Sequence, residues 1–207
     1  MTGGGDGSGG GELWAGGGGG GYSAISKRTL LGNEALVVAG GGGGGGSIDG
    51  MPGGNMEGPL PGTRIDRRNG TTATVEAGGE GGDSGSIYNT EWPAEEGQMW
   101  QGGKSSQFGG GGGGGYFGGG GGGTSPGVAG GGGGGSSYIH APRAIDVVMV
   151  TGYGDKPGGL KHDPPEAVGL GEWDNLRKPV GHGGYADAEK VDAGCSGCVR
   201  IFKPGYY

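Results

Sequence analysis

The chain has little of what builds an ordinary protein interior. Of its 207 residues only 30% are hydrophobic and 7% aromatic, too few to bury an apolar core along the whole length. No stretch approaches the run of about 18 apolar residues that a membrane-spanning helix needs, and helical periodicity is absent. Cationic residues are outnumbered, 14 Lys and Arg against 21 Asp and Glu. The resulting net charge of −7 and a pI near 4.9 disfavour nucleic acid and anionic membrane surfaces as partners. There is no Arg-Gly-Gly box. Nor is there a signal-peptide pattern, because Met1 runs directly into Thr2 and glycines; the expectation is a cytoplasmic chain, or a piece or processed form of something longer.

Histidine and cysteine are equally sparse. The three histidines are His140, His162 and His182, and the two cysteines are Cys195 and Cys198. A structural zinc site needs four ligands, and no second Cys-x-x-Cys exists, although His182 could contribute one. A thioredoxin-type pair should open a helix, whereas this one precedes the strand-like Val199 to Phe202. Free thiols or a local disulfide between Cys195 and Cys198 are the expected states.

What the chain has instead is glycine. There are 67 glycines and 11 prolines, a composition that by itself belongs to disordered chains. Five uninterrupted runs, Gly16 to Gly21, Gly40 to Gly46, Gly109 to Gly115, Gly118 to Gly123 and Gly130 to Gly135, hold 32 of those glycines. A helix interior of glycine costs about 1 kcal/mol per residue against alanine, so helix is excluded. A polyproline-II-like form remains, with three residues per turn, about 3.1 Å rise and amides pointing outward on three sides. Only glycine fits where such helices approach closely. The near-equal tract lengths, roughly 20 Å at that rise, predict a layer of packed polyglycine II helices.

Short β-type runs lie between or beside the tracts: Glu12 to Ala15, Thr29 to Leu31, Ala35 to Ala39, Ile65 to Val75, Ala144 to Thr151 and Val199 to Lys203. Within Arg64 to Val75 the pair Asn69-Gly70 predicts a type I′ hairpin turn at the surface. Ala144 to Thr151 is apolar enough for a strand covered on both faces. The proline-bearing stretches Met51 to Gly62 and Gly152 to Tyr185 read as irregular. The whole, residues 1–207, is expected to be one glycine-rich domain: polyglycine helices interleaved with strands over 11–139, then a strand, a proline-rich loop and a closing strand over 140–207.

The order of blocks carries a family signature. Ala15-Gly16 to Gly21-Tyr22-Ser23-Ala24, Leu36-Val37-Val38-Ala39-Gly40 to Gly46, Phe108-Gly109 to Gly115-Tyr116-Phe117-Gly118 to Gly123, and Gly130 to Gly135-Ser136-Ser137-Tyr138-Ile139 resemble the extracellular glycine-rich region of the anaplastic lymphoma kinase and leukocyte tyrosine kinase receptors. The resemblance covers roughly residues 11–139 with a closing strand at Val199 to Phe202. It implies an all-β fold in which packed polyglycine II helices are attached to a tumour-necrosis-factor-like, jelly-roll β-sandwich, and it implies a rigid extracellular module. No kinase motif is present, so ligand recognition is not carried over to any residue.

Other motifs have weaker content. Gly82-Asp83-Ser84-Gly85-Ser86 looks like a serine-protease nucleophile motif, but the base should lie upstream and all three histidines lie downstream. Glu91, Glu95 and Glu96 do not match a calcium loop and read as a solvated acidic patch. Gly-x-Gly-x-x-Gly recurs throughout without the strand and helix of a nucleotide site. Asn69-Gly70-Thr71 is a glycosylation sequon on the expected turn. Trp14, Tyr22, Tyr116, Phe117 and Tyr138 flank the glycine runs, where rings would cap rod ends; Tyr116 and Phe117 are also candidate interface residues.

These readings converge on an extracellular or cell-surface structural module that acts through assembly with other protein chains, as in a filament or appendage, without catalysis, cofactor, metal or small-molecule substrate. The alternative is a ligand-binding ectodomain fragment of a receptor-like protein.

Overall fold

The computed structural model describes residues 3–7, 16–30, 32–47, 50, 67–84, 93–140, 193–194 and 196–197. Among the described residues there is no α-helix. The strands form two small antiparallel sheets. Strands β1 (Ser23–Thr29), β2 (Gly32–Ala39) and β5 (Tyr138–Ile139) make a three-stranded sheet in the order β1-β2-β5. Strands β3 (Thr124–Ser125) and β4 (Val128–Ala129) make a two-stranded ribbon.

Local chemistry accounts for both turns. Ser125 pairs with Val128 across Pro126-Gly127, and Gly127 has φ 79°, the positive value that a type II turn requires after a proline. β1 and β2 are joined through two residues, since Thr29 pairs with Gly32, and Gly32 takes φ 132°. A bulge after Ile25 leaves Leu36 outside the register, and its carbonyl accepts from His140 N at 2.8 Å.

The interior is made of backbone. The only hydrophobic residues buried among those described are Val38, Ala73 and Ala129, and the largest fully buried side chains are Val38, Asn69, Ser106 and Ser136. Every one of the five glycine runs lies within the described residues, and their amides and carbonyls bond to other segments of chain.

Gly118 to Gly123 displays the rule. All six amides donate and all six carbonyls accept, and the partner changes at each residue and returns after three. Gly119 and Gly122 donate to Gly113 and Gly110, Gly120 and Gly123 to Thr71 and Arg68, and Gly118 and Gly121 to Gln98 and Glu95. Their carbonyls accept in the same rhythm from Gly79 and Gly82, from Gly103 and Ser106, and from Gly133 and Gly130. Six different segments therefore surround this one: 67–73, 78–83, 93–98, 101–106, 109–115 and 130–136. Those six also bond to each other in a closed ring, for example through Gly112 N to Gly103 O, Glu95 N to Lys104 O, Gly97 N to Gly79 O, Thr71 N to Glu80 O, Gly70 N to Gly131 O and Gly110 N to Gly130 O.

A second ring closes around 109–115, whose groups bond to 3–7, 16–21, 40–47, 101–106, 118–123 and 130–136. Residues 193–194 and 196–197 add to its margin through Gly194 N to Gly18 O and Gly197 N to Gly21 O. Segments 16–21, 109–115, 118–123 and 78–83 thus form one row, with other segments packed above and below it. None of the described tract glycines has φ between +20° and +160°, so the runs share one backbone hand.

Glycine is demanded by this proximity. A Cβ built on Gly111, Gly112, Gly113, Gly119 or Gly133 would overlap the carbonyl of a neighbouring segment.

The structure corrects the reading of Asn69-Gly70. A type I′ turn needs positive φ at both central residues, and the described residues that have it are Gly32, Trp100, Phe108 and Gly127. Over its described part, Arg67 to Val75, the expected surface hairpin is replaced by a segment inside the first ring. The expected strand runs Glu12 to Ala15, Ala144 to Thr151 and Val199 to Lys203, and both irregular stretches, lie outside the described residues. Thr29 to Leu31 is corrected in its described part: Thr29 ends β1 and Leu30 lies in the turn. Ala35 to Ala39 is the second half of β2.

Candidate functional site

Two regions could meet a partner: the aromatic end of the glycine segments and their solvent faces. The aromatic end forms where runs enter and leave the three-stranded sheet. Tyr22 follows Gly21, Tyr116 and Phe117 join Gly115 to Gly118, and Tyr138 follows the Gly130 run. Their rings converge with that of Trp100. Tyr116 stacks on Tyr138 with centroids 4.2 Å apart and planes at 14°. It also meets Trp100 and Phe117 edge-on at 5.5 Å, while Tyr22 lies 5.4 Å from Trp100. Offset and edge-to-face contacts of this kind contribute beyond their area. All five residues are half-buried. Of the aromatic residues expected to cap the rods, the structure brings together Tyr22, Tyr116, Phe117 and Tyr138, and Trp14 lies outside the described residues.

Trp100 was not anticipated. It sits in a tight reversal closed by Gln98 N to Gln101 O and Gln101 N to Gln98 O, with φ 71°. That conformation disfavours any residue with a Cβ, and the rings of Tyr22 and Tyr116 hold it. Met99 beside it is 47% exposed.

Polar side chains complete the lattice where the backbone runs out. Asn69 is fully buried and its Oδ1 accepts from Gly131 N at 3.0 Å. Ser137 Oγ accepts from Gly40 N, Ser136 Oγ from Phe117 N and Ser47 Oγ from Ala129 N. Thr124 Oγ1 donates to the carbonyl of Gln107. Each side chain supplies the group that a further peptide unit would otherwise provide. The exposed turn on which glycosylation of Asn69 was expected is therefore not there, and the buried amide leaves no accessible acceptor in this fold.

The mixed segments carried a legible signal that the pure tracts obscure. Gly78-Gly79-Glu80-Gly81-Gly82-Asp83 and Gly102-Gly103-Lys104 place a charged residue at every third position. Glu80, Asp83 and Lys104 are exposed, whereas Gly79, Gly82, Gly102 and Gly103 are buried. The charged residues at that spacing face solvent while the glycines between them are turned inward.

The remaining candidates are dispersed. Ser84 Oγ is buried without a hydrogen-bond partner. His140 lies on the sheet, its Nε2 3.9 Å from Glu34 Oε1 and its Nδ1 3.5 Å from Tyr138 Oη. Glu95 and Glu96 are exposed, and no group of three or more metal-ligating side chains occurs among the described residues. No helix among them is long and apolar enough to cross a membrane. His162, His182, Glu91, Cys195 and Cys198 lie outside the described residues, so the expected local disulfide does too. No family model, curated protein or solved structure matches the chain.

Proposed function

We propose that this chain is a non-enzymatic extracellular structural module, a rigid scaffold of polyglycine II rods that works by assembling with other protein chains into a filament or surface appendage. The observation that carries the reading is the arrangement at Gly118 to Gly123, where six consecutive residues use every amide and every carbonyl on six different neighbours. A three-residue return of partners is the period of a polyproline-II-type helix, and a single backbone hand in all tracts fits parallel and antiparallel rods of one kind. Such a body is rigid without an apolar interior, because any rod that moves must break bonds to several others.

That construction suits load-bearing or assembly work better than catalysis. Glycine has no side-chain entropy left to lose on docking, so interfaces between such bodies form at low entropic cost. The resemblance to the receptor glycine-rich region supports the extracellular setting. Sedimentation velocity over rising protein concentration, with electron microscopy of the same samples, tests the proposal. Concentration-dependent growth into regular polymers is expected. A stable monomer at every concentration would instead support the ectodomain reading.

A further inference from the structure

The β1–β2 hairpin projects from the glycine body as a polar arm with an apolar tip. Ser26, Lys27, Arg28 and Thr29 are exposed, as are Gly32, Asn33 and Glu34 on the return strand. Leu30 at the tip has 105% relative exposure; it touches essentially nothing in its own chain. Lys27 stands opposite Glu34 and Arg28 opposite Asn33. Glu34 also faces His140 at 3.9 Å, so the arm carries a cationic edge beside one acid in a chain whose net charge is −7.

The complementary charge lies at the other margin. β1 leaves segment 16–21, at one end of the row that continues through 109–115 and 118–123 to 78–83. At that far margin Glu80 is exposed on 78–83 and Glu96 on 93–98, two segments joined by Gly97 N to Gly79 O. Glu76 is exposed on the turn just before them. Of the nearby cations, Arg67 is level with Asp83 toward the other end of the rods, by Asp83 N to Arg67 O, whereas Lys104 is level with Glu95 on the segment beyond 93–98, by Glu95 N to Lys104 O. Gly79 is level with Gly118, Gly119 with Gly113, and Gly114 with Gly20 and Gly41. The acidic corner and the hairpin therefore occupy the same end of the rods on opposite sides.

We propose that the hairpin tip, Lys27, Arg28 and Leu30, is a docking element that seats on the acidic corner Glu76, Glu80 and Glu96 of a second copy of this chain. The inference rests on the assembly reading and supplies its geometry. Contact between unlike margins is heterologous, so each copy offers both a hairpin and a corner, and the contact propagates into an open polymer. Leu30 gains by leaving water. The charges fix orientation and make association fall with salt, as exposed ion pairs do.

Charge reversal tests it. The reversed residues are exposed, so folding is checked by circular dichroism, and Lys27→Gln/Arg28→Gln serves as a neutral second variant. Sedimentation at low salt is expected to show self-association weakened about tenfold or more in Lys27→Glu/Arg28→Glu and in Glu76→Lys/Glu80→Lys/Glu96→Lys. Mixing the two reversed proteins is expected to restore polymers, since each hairpin then meets a corner of opposite sign. Leu30→Asp is expected to weaken both the native and the mixed assembly. If both reversed variants polymerise like the parent, the contact lies elsewhere and this proposal falls while the assembly reading stands. If the parent is monomeric at every salt concentration, both fall. Hairpin-dependent binding of a monomer to phosphatidylserine vesicles would overturn the proposal in favour of a lipid surface.

Discussion

The side-chain oxygen of Asn69 accepts the amide proton of Gly131 at 3.0 Å, standing in for a backbone carbonyl. The next amide of the same segment, Gly70 N, donates to the Gly131 carbonyl at 3.0 Å, so the two residues clamp Gly131 from one side. Both are buried. Asn69→Ala leaves the Gly131 amide without this partner in a dry interior, and the cost of an orphaned buried donor is about 1–3 kcal/mol. Asn33→Ala, on the exposed part of β2, should change stability by less than about 0.5 kcal/mol. Chemical denaturation of the two variants checks the difference.

A sharper contrast lies within one tract. A Cβ on Gly18 would meet only the Gly5 carbonyl at 3.7 Å, an ordinary contact, whereas on the adjacent Gly19 it would overlap the carbonyl of Gly112. Gly18→Ala should therefore be neutral, or stabilising by about 0.4–1 kcal/mol through the less flexible unfolded chain. Gly19→Ala should lose about 1–3 kcal/mol or more, the overpacking range. Gly112→Val should lose at least as much, because its Cβ would overlap the Gly119 carbonyl. Similar melting temperatures for Gly18→Ala and Gly19→Ala would mean that the glycine segments are not packed as described.

These contrasts also explain what could be read from the sequence. The pure runs are conspicuous because segments 109–115 and 118–123 are surrounded on all sides and admit no Cβ anywhere along them. Segments at the margin, such as 78–83 and 101–106, need small residues only on the faces turned inward, so Glu80 and Lys104 interrupt the glycines without interrupting the packing. Asn69-Gly70 was misread for a related reason: its local preference for a turn competes with bonds to three neighbouring segments, and the surroundings win. The meeting of rings was legible in part, since Tyr22, Tyr116, Phe117 and Tyr138, all beside glycine runs in the sequence, cluster around Trp100 and one another. Trp100 was not, because nothing in Gln98-Met99-Trp100-Gln101 signals a residue with positive φ.

The aromatic end offers a third expectation. Tyr116 touches three rings, those of Trp100, Phe117 and Tyr138, whereas Phe117 pairs with the ring of Tyr116 alone among the described residues. With each aromatic pair contributing about 0.5–1.5 kcal/mol beyond burial, Tyr116→Ala should destabilise more than Phe117→Ala by about 1–3 kcal/mol. Near-ultraviolet circular dichroism should lose most of its intensity in the first variant and little in the second. Equal effects would mean that the cluster does not centre on Tyr116.

The closed rings make a prediction about motion. Amide exchange requires the donor to separate from its acceptor, and the free energy of that opening ranges from near zero at frayed margins to the global stability in the core. Each amide of Gly118 to Gly123 bonds to one of three different segments, so no single segment can detach to release the whole tract. The opening that exposes all six is dissolution of the ring, and their exchange should track global unfolding. Lys27, Arg28 and Thr29 belong to an exposed strand at the edge of a three-stranded sheet and should exchange orders of magnitude faster. Hydrogen–deuterium exchange with fragment-level readout distinguishes the two regions. Adding denaturant should raise the rate at Gly118 to Gly123 with the slope of global unfolding, whereas the hairpin rate should stay nearly flat. A shallow slope across Gly118 to Gly123 would show that the tract opens locally, which the six-neighbour arrangement does not allow.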